Sequence, residues 1–207
     1  MVEQQIRPWD VLDPDVLELL FKVRREDFVP AACRDLAFAD IEIPLAPGAA
    51  MWTPKVEARV LQELALREGE RVLEIGTGSG YFAALCAGRG ARVTSVEIVP
   101  TLADSARARL AAHGFASVSV EVGDGARGFG GESYDAIVLT GSVPLLDEAF
   151  FAQLNPGGRV FAIVGDAPAM SATLVKWSAP GARVARTLFE TVVAPLVNAP
   201  APSRFVF

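Results

Sequence analysis

The residues that decide the fold are Arg71-Val-Leu-Glu-Ile-Gly-Thr-Gly-Ser-Gly-Tyr81. An apolar run that contains one acid, residues 72–75, leads into glycines at three alternate positions, and a helical pattern follows. A strand, a glycine-rich turn and a helix N-terminus bring backbone close to a nucleotide, because glycine permits positive φ and presents no Cβ. The stretch therefore predicts a nucleotide-binding α/β fold.

Beyond this turn, apolar runs alternate with helical patterns, which predicts βαβ units around a parallel sheet with right-handed crossovers. The predicted strands are 72–75, 92–97, 118–122, 136–140 and 159–164, and the predicted helices are 81–87, 102–112 and 145–154. Two more strands, 172–177 and 185–193, follow without a helix between them and predict an antiparallel hairpin at the sheet edge. We expect a Rossmann-like α/β fold with a mostly parallel seven-stranded sheet and helices on both faces.

The N-terminal third has a different pattern. Asp13-Pro14 predicts a helix start, and a second short helix is predicted near Pro30. Residues 43–54 predict a loop rich in Pro and Gly, and Thr53-Pro54 predicts the N-cap and first residue of another helix. We expect one domain over 1–207, with an N-terminal helical segment and loop (1–66), a cofactor-binding core (70–165) and C-terminal edge strands (166–207).

Composition excludes several classes of function. The 207 residues are 51% hydrophobic and carry a net charge of −6, so no basic surface favours nucleic acid or an anionic membrane. No apolar run reaches the roughly 18 residues of a membrane span, and no signal-peptide core is present, so we expect a cytoplasmic protein. Cys33 and Cys86 are expected to be buried apolar side chains, and with His113 as the single histidine no metal site is expected.

The residues that flank the glycines indicate which ligand the turn binds. A dinucleotide-binding turn, Gly-x-Gly-x-x-Gly, would place its third glycine at position 81, where this chain has Tyr81. Glu74, two residues before the first glycine, would repel a pyrophosphate but would accept hydrogen bonds from an ammonium group. A ligand with a cationic end, such as the amino-acid part of S-adenosylmethionine, is therefore favoured.

Acids after the next two strands support the same ligand. Glu97, 17 residues after Gly80, is placed to accept hydrogen bonds from ribose hydroxyls. Asp124, between two glycines, can accept from an adenine amine while the backbone closes over the ring. Because these acids follow successive strands, they are expected at one ligand-binding edge of the sheet. The candidate cofactor-binding residues are Glu74, Gly76, Thr77, Gly78, Ser79, Gly80, Tyr81, Glu97, Ile98, Asp124, Gly125 and Thr140.

Several stretches resemble a known family. The sequences at 72–81, 123–125, 134–140 and 153–158 are similar to class I S-adenosylmethionine-dependent methyltransferases. Arg24-Arg-Glu-Asp-Phe-Val-Pro30 and Ile43-Pro-Leu45 resemble, more narrowly, the protein-L-isoaspartate O-methyltransferase group, and the likeness extends from about residue 10 to 197. The resemblance implies methylation of an isoaspartate (D-aspartate) carboxylate for protein repair, through an ester that cyclises to a succinimide and hydrolyses partly to normal aspartate.

The active-site loop departs from the pattern that the family carries, Gly-Gln-Thr-Ile-Ser-x-Pro, whose Ser is taken to help hold the substrate carboxylate. Here the loop is Gly48-Ala-Ala-Met-Trp-Thr-Pro54, with Trp52 at the position of that Ser. Met51, Trp52 and Thr53 are the candidate substrate-loop residues. Trp52 has two interpretations, a packing residue or a lid near the sulfonium, where a cation–π contact is worth about 0.5–2 kcal/mol.

The chemistry leaves the catalytic residues open. A carboxylate acceptor is ionised near pH 7 and needs alignment rather than a general base, and His113, expected to be exposed, is a poor candidate for a base. The partner is a protein, peptide or small-molecule carboxylate, and oligomeric state stays open. Three alternatives remain: a methyltransferase with another acceptor, an inactive protein that binds S-adenosylmethionine as a sensor, and a nicotinamide oxidoreductase, which Tyr81 and Glu74 disfavour.

Overall fold

The computed structural model describes residues 1–46, 48–179 and 182–200. Its centre is a seven-stranded sheet with the strand order β5-β4-β3-β6-β7-β8-β9, and a separate two-stranded hairpin, β1-β2, lies before it in the chain. The strands are β1 (Ile43–Ala46), β2 (Ala49–Met51), β3 (Arg71–Ile75), β4 (Arg92–Glu97), β5 (Ser119–Val122), β6 (Tyr134–Val143), β7 (Leu154–Asp166), β8 (Ala169–Ala179) and β9 (Ala182–Glu190). The α-helices of the described residues are α1 (Pro14–Lys22), α2 (Pro54–Leu64), α3 (Tyr81–Gly88), α4 (Pro100–Ala112) and α5 (Glu148–Ala152).

The sheet topology confirms the predicted fold class. Strands β3 to β7 pair in parallel, and β8 and β9 add antiparallel at one edge. The chain runs outward from β3 to β5 and then returns to the other side of β3 with β6. In an open α/β sheet, the crevice at such a reversal is where ligands bind, beyond the carboxyl ends of the strands. The glycine turn follows β3 at this point.

The expected division into one domain with three segments stays a prediction.

Apolar residues on the central strands point alternately to two cores, one on each face of the sheet. Val72 belongs to the core that contains buried residues of α1, α2 and α3, whereas Leu73 belongs to the core that contains Phe150 and Phe151 of α5. Both faces are therefore covered, which explains the nearly continuous apolar runs of the parallel strands. Asp13 caps α1 as predicted, since its carboxylate accepts hydrogen bonds from the amides of Asp15 and Val16.

Thr53 occupies the N-cap position of α2 and Pro54 begins the helix, as predicted, although the Thr53 hydroxyl makes no capping bond. Three local predictions were wrong in detail. The segment 43–54 is not only a loop: Ile43 pairs with Met51 across the β1-β2 hairpin, and Gly48, at φ +78°, lies in its turn. The helix predicted at 145–154 shortens to α5, because Asp147 caps it two residues later. Cys33 is only half-buried.

Two other predictions can be compared directly with the structure. Cys86 is buried and His113 is exposed, as expected. Within the described parts of the chain, no helix combines the length and apolar character required to cross a membrane.

Candidate functional site

A cavity of about 140 Å³ opens at the carboxyl ends of β3, β4 and β6. One wall is the glycine turn, a second is formed by the residues after β4 and β5, and a third is the segment 193–197 after β9. The hairpin residues Leu45, Ala49 and Ala50, together with Trp52, complete the lining. The cavity therefore lies at the strand reversal, and we call it the main cavity.

The glycine turn contacts the main cavity through backbone. Gly76, Gly78 and Gly80 all have positive φ, between +54° and +97°. A Cβ on Gly76 would also clash with the hydroxyl oxygen of Thr140, which donates to the carbonyl oxygens of Ile75 (2.9 Å) and Gly76 (2.7 Å). Glycine is thus required at position 76 by both backbone geometry and space.

Glu97 fixes the turn from the neighbouring strand. The side chain is buried, and one carboxylate oxygen accepts from the Gly78 amide (2.8 Å) while the other accepts from the Val99 amide (3.0 Å). Both Glu97 and Ile98 line the main cavity. The carboxylate oxygens retain acceptor capacity toward the cavity, as hydrogen bonds from a ribose would require.

Asp124 lies at the rim, where it joins two segments of the chain. Its Oδ1 accepts from the Ala126 amide (2.9 Å), and its Oδ2 accepts from the side-chain amide of Asn198 (2.9 Å). Gly125 is buried against Ile75, so close that a Cβ would lie 2.7 Å from the Ile75 side chain. The backbone after β5 can therefore lie flat against the cavity.

The segment 193–198 was missed by sequence reasoning. The Ser142 amide donates to the Ala194 carbonyl (3.0 Å), and the Leu196 amide donates back to the Ser142 carbonyl (2.9 Å). These bonds hold the segment across the end of β6, where 193–197 line the main cavity. No local motif marks such a segment, because its position depends on partners more than fifty residues away in sequence.

A second cavity of about 40 Å³ lies beside the first and shares Trp52, Gly76, Gly78 and Thr140 with it. Thr77 and Ser79 also line it, although both side chains are themselves buried. We call it the inner cavity. Residues 76–79 of the turn are therefore divided between two adjoining cavities, whereas Gly80, packed against Leu110, lines neither of them.

Glu74 lines the inner cavity and is 0% exposed. Ser95 donates a hydrogen bond to its Oε2, while Oε1 has no partner among the described residues. Burial raises the pKa of Glu74 to about 8; the Ser95 hydrogen bond opposes this shift, and the charges of Glu97 and Glu57 add to it. Glu74 thus lies near the carboxyl end of β3, where it lines the inner cavity.

Trp52 is a packing residue that also reaches both cavities. Its ring is 6% exposed and lies edge-on to Phe82 (5.4 Å between centroids) and Phe161 (5.9 Å). The indole also lines the main and inner cavities, and Met51 lines the inner one. Within the described parts of the chain, neither the Trp52 Nε1 nor the buried Thr53 hydroxyl has a hydrogen-bond partner.

Arg25 fixes the loop that carries Trp52, and sequence reasoning did not identify its role. The side chain is 1% exposed, forms an ion pair with Glu57, and donates to the carbonyls of Ala37 (2.8 Å) and Trp52 (2.8 Å). Burial raises the pKa of Glu57, and the Arg25 guanidinium opposes that rise. In the sequence, Arg25 stands out only as part of the 24–30 stretch, because the neighbouring residues do not indicate that this arginine is buried.

Tyr81 does not reach either cavity. The ring is buried beneath Arg25, whose guanidinium carbon lies 5.4 Å from the ring centroid, and the phenol donates to the Val23 carbonyl (3.3 Å). Burial raises the pKa of Tyr81 above its ordinary value. Its backbone amide donates to the Ser79 hydroxyl (3.2 Å), so the residue shapes the turn from the core side.

The two cavities share one kind of ionisable side chain. The ionisable residues that line them are all acids: Glu42, Glu57, Glu74, Glu97 and Asp124. No lysine, arginine or histidine is among the described lining residues, and no group of three or more potential metal ligands occurs in the described parts of the chain. A ligand with positive charge fits this surface, and a pyrophosphate does not.

Comparisons with known proteins point to one family. A model of the family described as protein-L-isoaspartate(D-aspartate) O-methyltransferase matches residues 1–201. Protein-L-isoaspartate O-methyltransferase 1 of Rhodopseudomonas palustris (strain HaA2) is 45% identical over 80% of this chain and 68% of that protein. The protein-L-isoaspartate O-methyltransferase of Ignicoccus hospitalis is 36% identical over 89% of each chain.

Solved structures give the same result for the fold. A protein-L-isoaspartate O-methyltransferase structure matches with a TM-score of 0.79 at 26% identity, over 91% of this chain and 62% of that chain. A putative protein-L-isoaspartate O-methyltransferase from Plasmodium falciparum, in complex with S-adenosyl-L-homocysteine, matches with a TM-score of 0.76 at 16% identity, over 92% and 94%. At that identity the second likeness concerns the fold alone.

Proposed function

Because the chain belongs to the protein-L-isoaspartate(D-aspartate) O-methyltransferase family, we propose that it methylates the free carboxylate of isoaspartyl residues in proteins and peptides. S-adenosylmethionine is the cofactor, and it supplies the activated methyl group when bound. The observation that carries the proposal is the acid-lined cavity over the glycine turn, at the strand reversal where this fold binds ligands.

We assign the cofactor contacts residue by residue. The turn from Gly76 to Gly80 would lie against the amino-acid part of the cofactor, with Glu74 beneath it. Glu97 would accept from the ribose hydroxyls, and Asp124 from the adenine amine. Ile98, Gly125 and Thr140 would complete the contacts, and Thr77 and Ser79 would support the turn from the inner cavity. The buried Glu74 Oε1, which has no hydrogen-bond partner among the described residues, fits such a cation.

Methyl transfer requires little chemistry from the side chains. An isoaspartyl carboxylate is already ionised at neutral pH, so the protein must align it with the methyl group and exclude water. The segment 193–197 and Trp52 cover the main cavity and would exclude water from it. We assign no general base.

A second candidate function differs from the first in the molecule that accepts the methyl group. Met51, Trp52 and Thr53 form the proposed substrate loop, and Ala49 and Ala50 beside them offer no side-chain hydrogen bond to a carboxylate. A different carboxylate, on another protein or a small molecule, is therefore the alternative acceptor. For the compartment we propose the cytoplasm, which the free thiols of Cys33 and Cys86 favour.

Two measurements test the proposal. S-adenosylhomocysteine should raise the melting temperature, and NAD should not, because the acid-lined turn disfavours a pyrophosphate. Methyl-labelled S-adenosylmethionine should then label an isoaspartyl peptide. Label on other carboxylates alone would favour the alternative acceptor, and cofactor binding without transfer to any acceptor would indicate a sensor.

A further inference from the structure

Glu74 is a buried acid at the end of β3 whose two carboxyl oxygens have different surroundings. Among the described residues, Oε1 has no hydrogen-bond partner, although the side chain is fully buried. It lines the inner cavity, which shares Gly76, Gly78 and Thr140 with the main cavity. A buried polar atom without a partner calls for an explanation, and a ligand group that reaches it would supply one.

Hydroxyl groups connect Glu74 to the glycine turn. The Ser95 hydroxyl donates to Glu74 Oε2, and the Thr77 hydroxyl oxygen lies 2.6 Å from the Ser95 oxygen. Thr77 belongs to the turn itself, between Gly76 and Gly78. The chain Thr77–Ser95–Glu74 therefore joins the carboxyl group to the backbone that would contact the cofactor, and it offers a route for a proton out of the buried site.

The charges that face Glu74 leave it without a cation of its own. Glu97 from β4 and Glu57 from α2 both act on it as negative charges. Burial raises the pKa of the Cys86 thiol on α3, and Glu74 adds to that rise. Arg25, from the turn after α1, is already paired with Glu57. Among the described residues, no cation pairs with Glu74, so its ionised form would be a buried negative charge without a partner, which is strongly unfavourable. The raised pKa of Glu74, about 8, agrees with this geometry.

We propose that Glu74 is a neutral acid in the free protein and releases its proton when S-adenosylmethionine binds, so that the carboxylate forms only opposite the positive charge of the cofactor. The O–H bond of the carboxyl group breaks, its proton passes to the buffer, and the cofactor itself is unchanged. This inference depends on cofactor binding and not on the acceptor. Proton release can therefore be absent while isoaspartyl methylation is observed, and methylation can be absent while proton release is observed.

The proposal fixes how affinity depends on pH. Below pH 8 the cofactor must displace a proton, so the dissociation constant should fall up to tenfold for each unit that the pH rises. Near pH 8 the dissociation constant should pass through a minimum, because at higher pH the α-amine of the cofactor loses the positive charge that the carboxylate faces. The cofactor sulfonium adds a positive charge that S-adenosylhomocysteine lacks, so the dependence should be at least as steep for S-adenosylmethionine.

Calorimetry measures the number of protons that are released when the cofactor binds. Binding of S-adenosylmethionine at pH 7, in two buffers of different ionisation enthalpy, should release close to one proton in the wild type and none in Glu74→Gln. The amino group of the cofactor is the other proton site in this range, with a pKa near 7.7–8.0 if it behaves as an ordinary α-amine. Since it is present in both titrations, the difference between the two proteins isolates Glu74. Glu68→Gln, at an exposed acid, is the matched control and should behave as the wild type.

Ser95→Ala provides a second variant that retains Glu74. The lost hydrogen bond had favoured the ionised carboxylate, so the pH of tightest binding should move upward. The proposal is overturned if the wild type and Glu74→Gln release the same number of protons. It is also overturned if the wild-type affinity is constant between pH 6 and 8. If Glu74→Gln does not fold, an unmoved pH of tightest binding in Ser95→Ala overturns it equally.

Discussion

The glycine turn and the β1-β2 hairpin with the loop that follows it both line the two cavities, and they are built in different ways. In the turn, Glu97, Thr140 and Ser95 each form a hydrogen bond with a polar group of residues 76–78. The loop at Trp52 carries two buried polar atoms without described partners, and Arg25 holds it through the Trp52 carbonyl. The turn is therefore marked by a glycine motif that can be read in the sequence, whereas the loop depends on a buried arginine that no motif marks.

Arg25→Ala gives the largest expected effect on the loop side. Glu57 would remain buried without its partner, which typically costs about 3–5 kcal/mol. We expect a loss of that size in the free energy of unfolding, measured with urea. Arg24→Ala, at the adjacent exposed arginine, should leave stability unchanged. Equal effects of the two substitutions would show that the buried pair does not organise the loop.

Gly76→Ala gives the largest expected effect on the turn side. The new Cβ would clash with Thr140 at a backbone angle of φ +97°, so the affinity for S-adenosylhomocysteine should fall at least about 100-fold, or roughly 2.8 kcal/mol. Gly114→Ala is the matched control, because Gly114 also has positive φ but has open space where a Cβ would lie. Retained affinity in Gly76→Ala, measured by calorimetry, would contradict the placement of the cofactor over the turn.

The pH dependence of stability tests whether the buried Glu74 is protonated in the folded protein. The folded-state pKa of Glu74, about 8, lies above the ordinary value of 4.5, so between these values the folded protein holds a proton that the unfolded chain has lost. Stability from this group should therefore fall as the pH rises from about 5 to 8, by at most about 1.4 kcal/mol for each pH unit. Urea unfolding at several pH values should show a flatter profile for Glu74→Gln, and identical profiles would count against the buried neutral acid.

Trp52→Phe has the smallest expected effect on stability. It tests whether the loop at Trp52 contacts the acceptor or the cofactor. It keeps an aromatic ring against Phe82 and Phe161 and removes an N–H with no described partner, so the cost should stay below about 1.5 kcal/mol. The acceptor KM should change while calorimetric affinity for S-adenosylmethionine, which carries the sulfonium, stays within about twofold. A tenfold loss of cofactor affinity would instead place the indole against the sulfonium.

The same contrast explains what the sequence could predict. The parallel sheet, the turn and the acids Glu97 and Asp124 follow from apolar runs, glycine spacing and positions after strands, which are local properties. The ion pair of Arg25 with Glu57 joins residues 32 positions apart, and Asn198 reaches Asp124 across 74 positions. No local pattern predicts such pairs. Tyr81 shows the same limit, because its place in the motif is local but the direction of its side chain is set by Val23 and Phe28.

The most direct test of the account is the transfer of labelled methyl groups to two peptides that differ only in one linkage, isoaspartyl in one and normal aspartyl in the other. With the wild-type protein and S-adenosylmethionine, we predict label on the isoaspartyl peptide and background label on the aspartyl one. Equal labelling of both peptides, or no labelling of either by a protein that binds S-adenosylhomocysteine, would contradict the proposed acceptor.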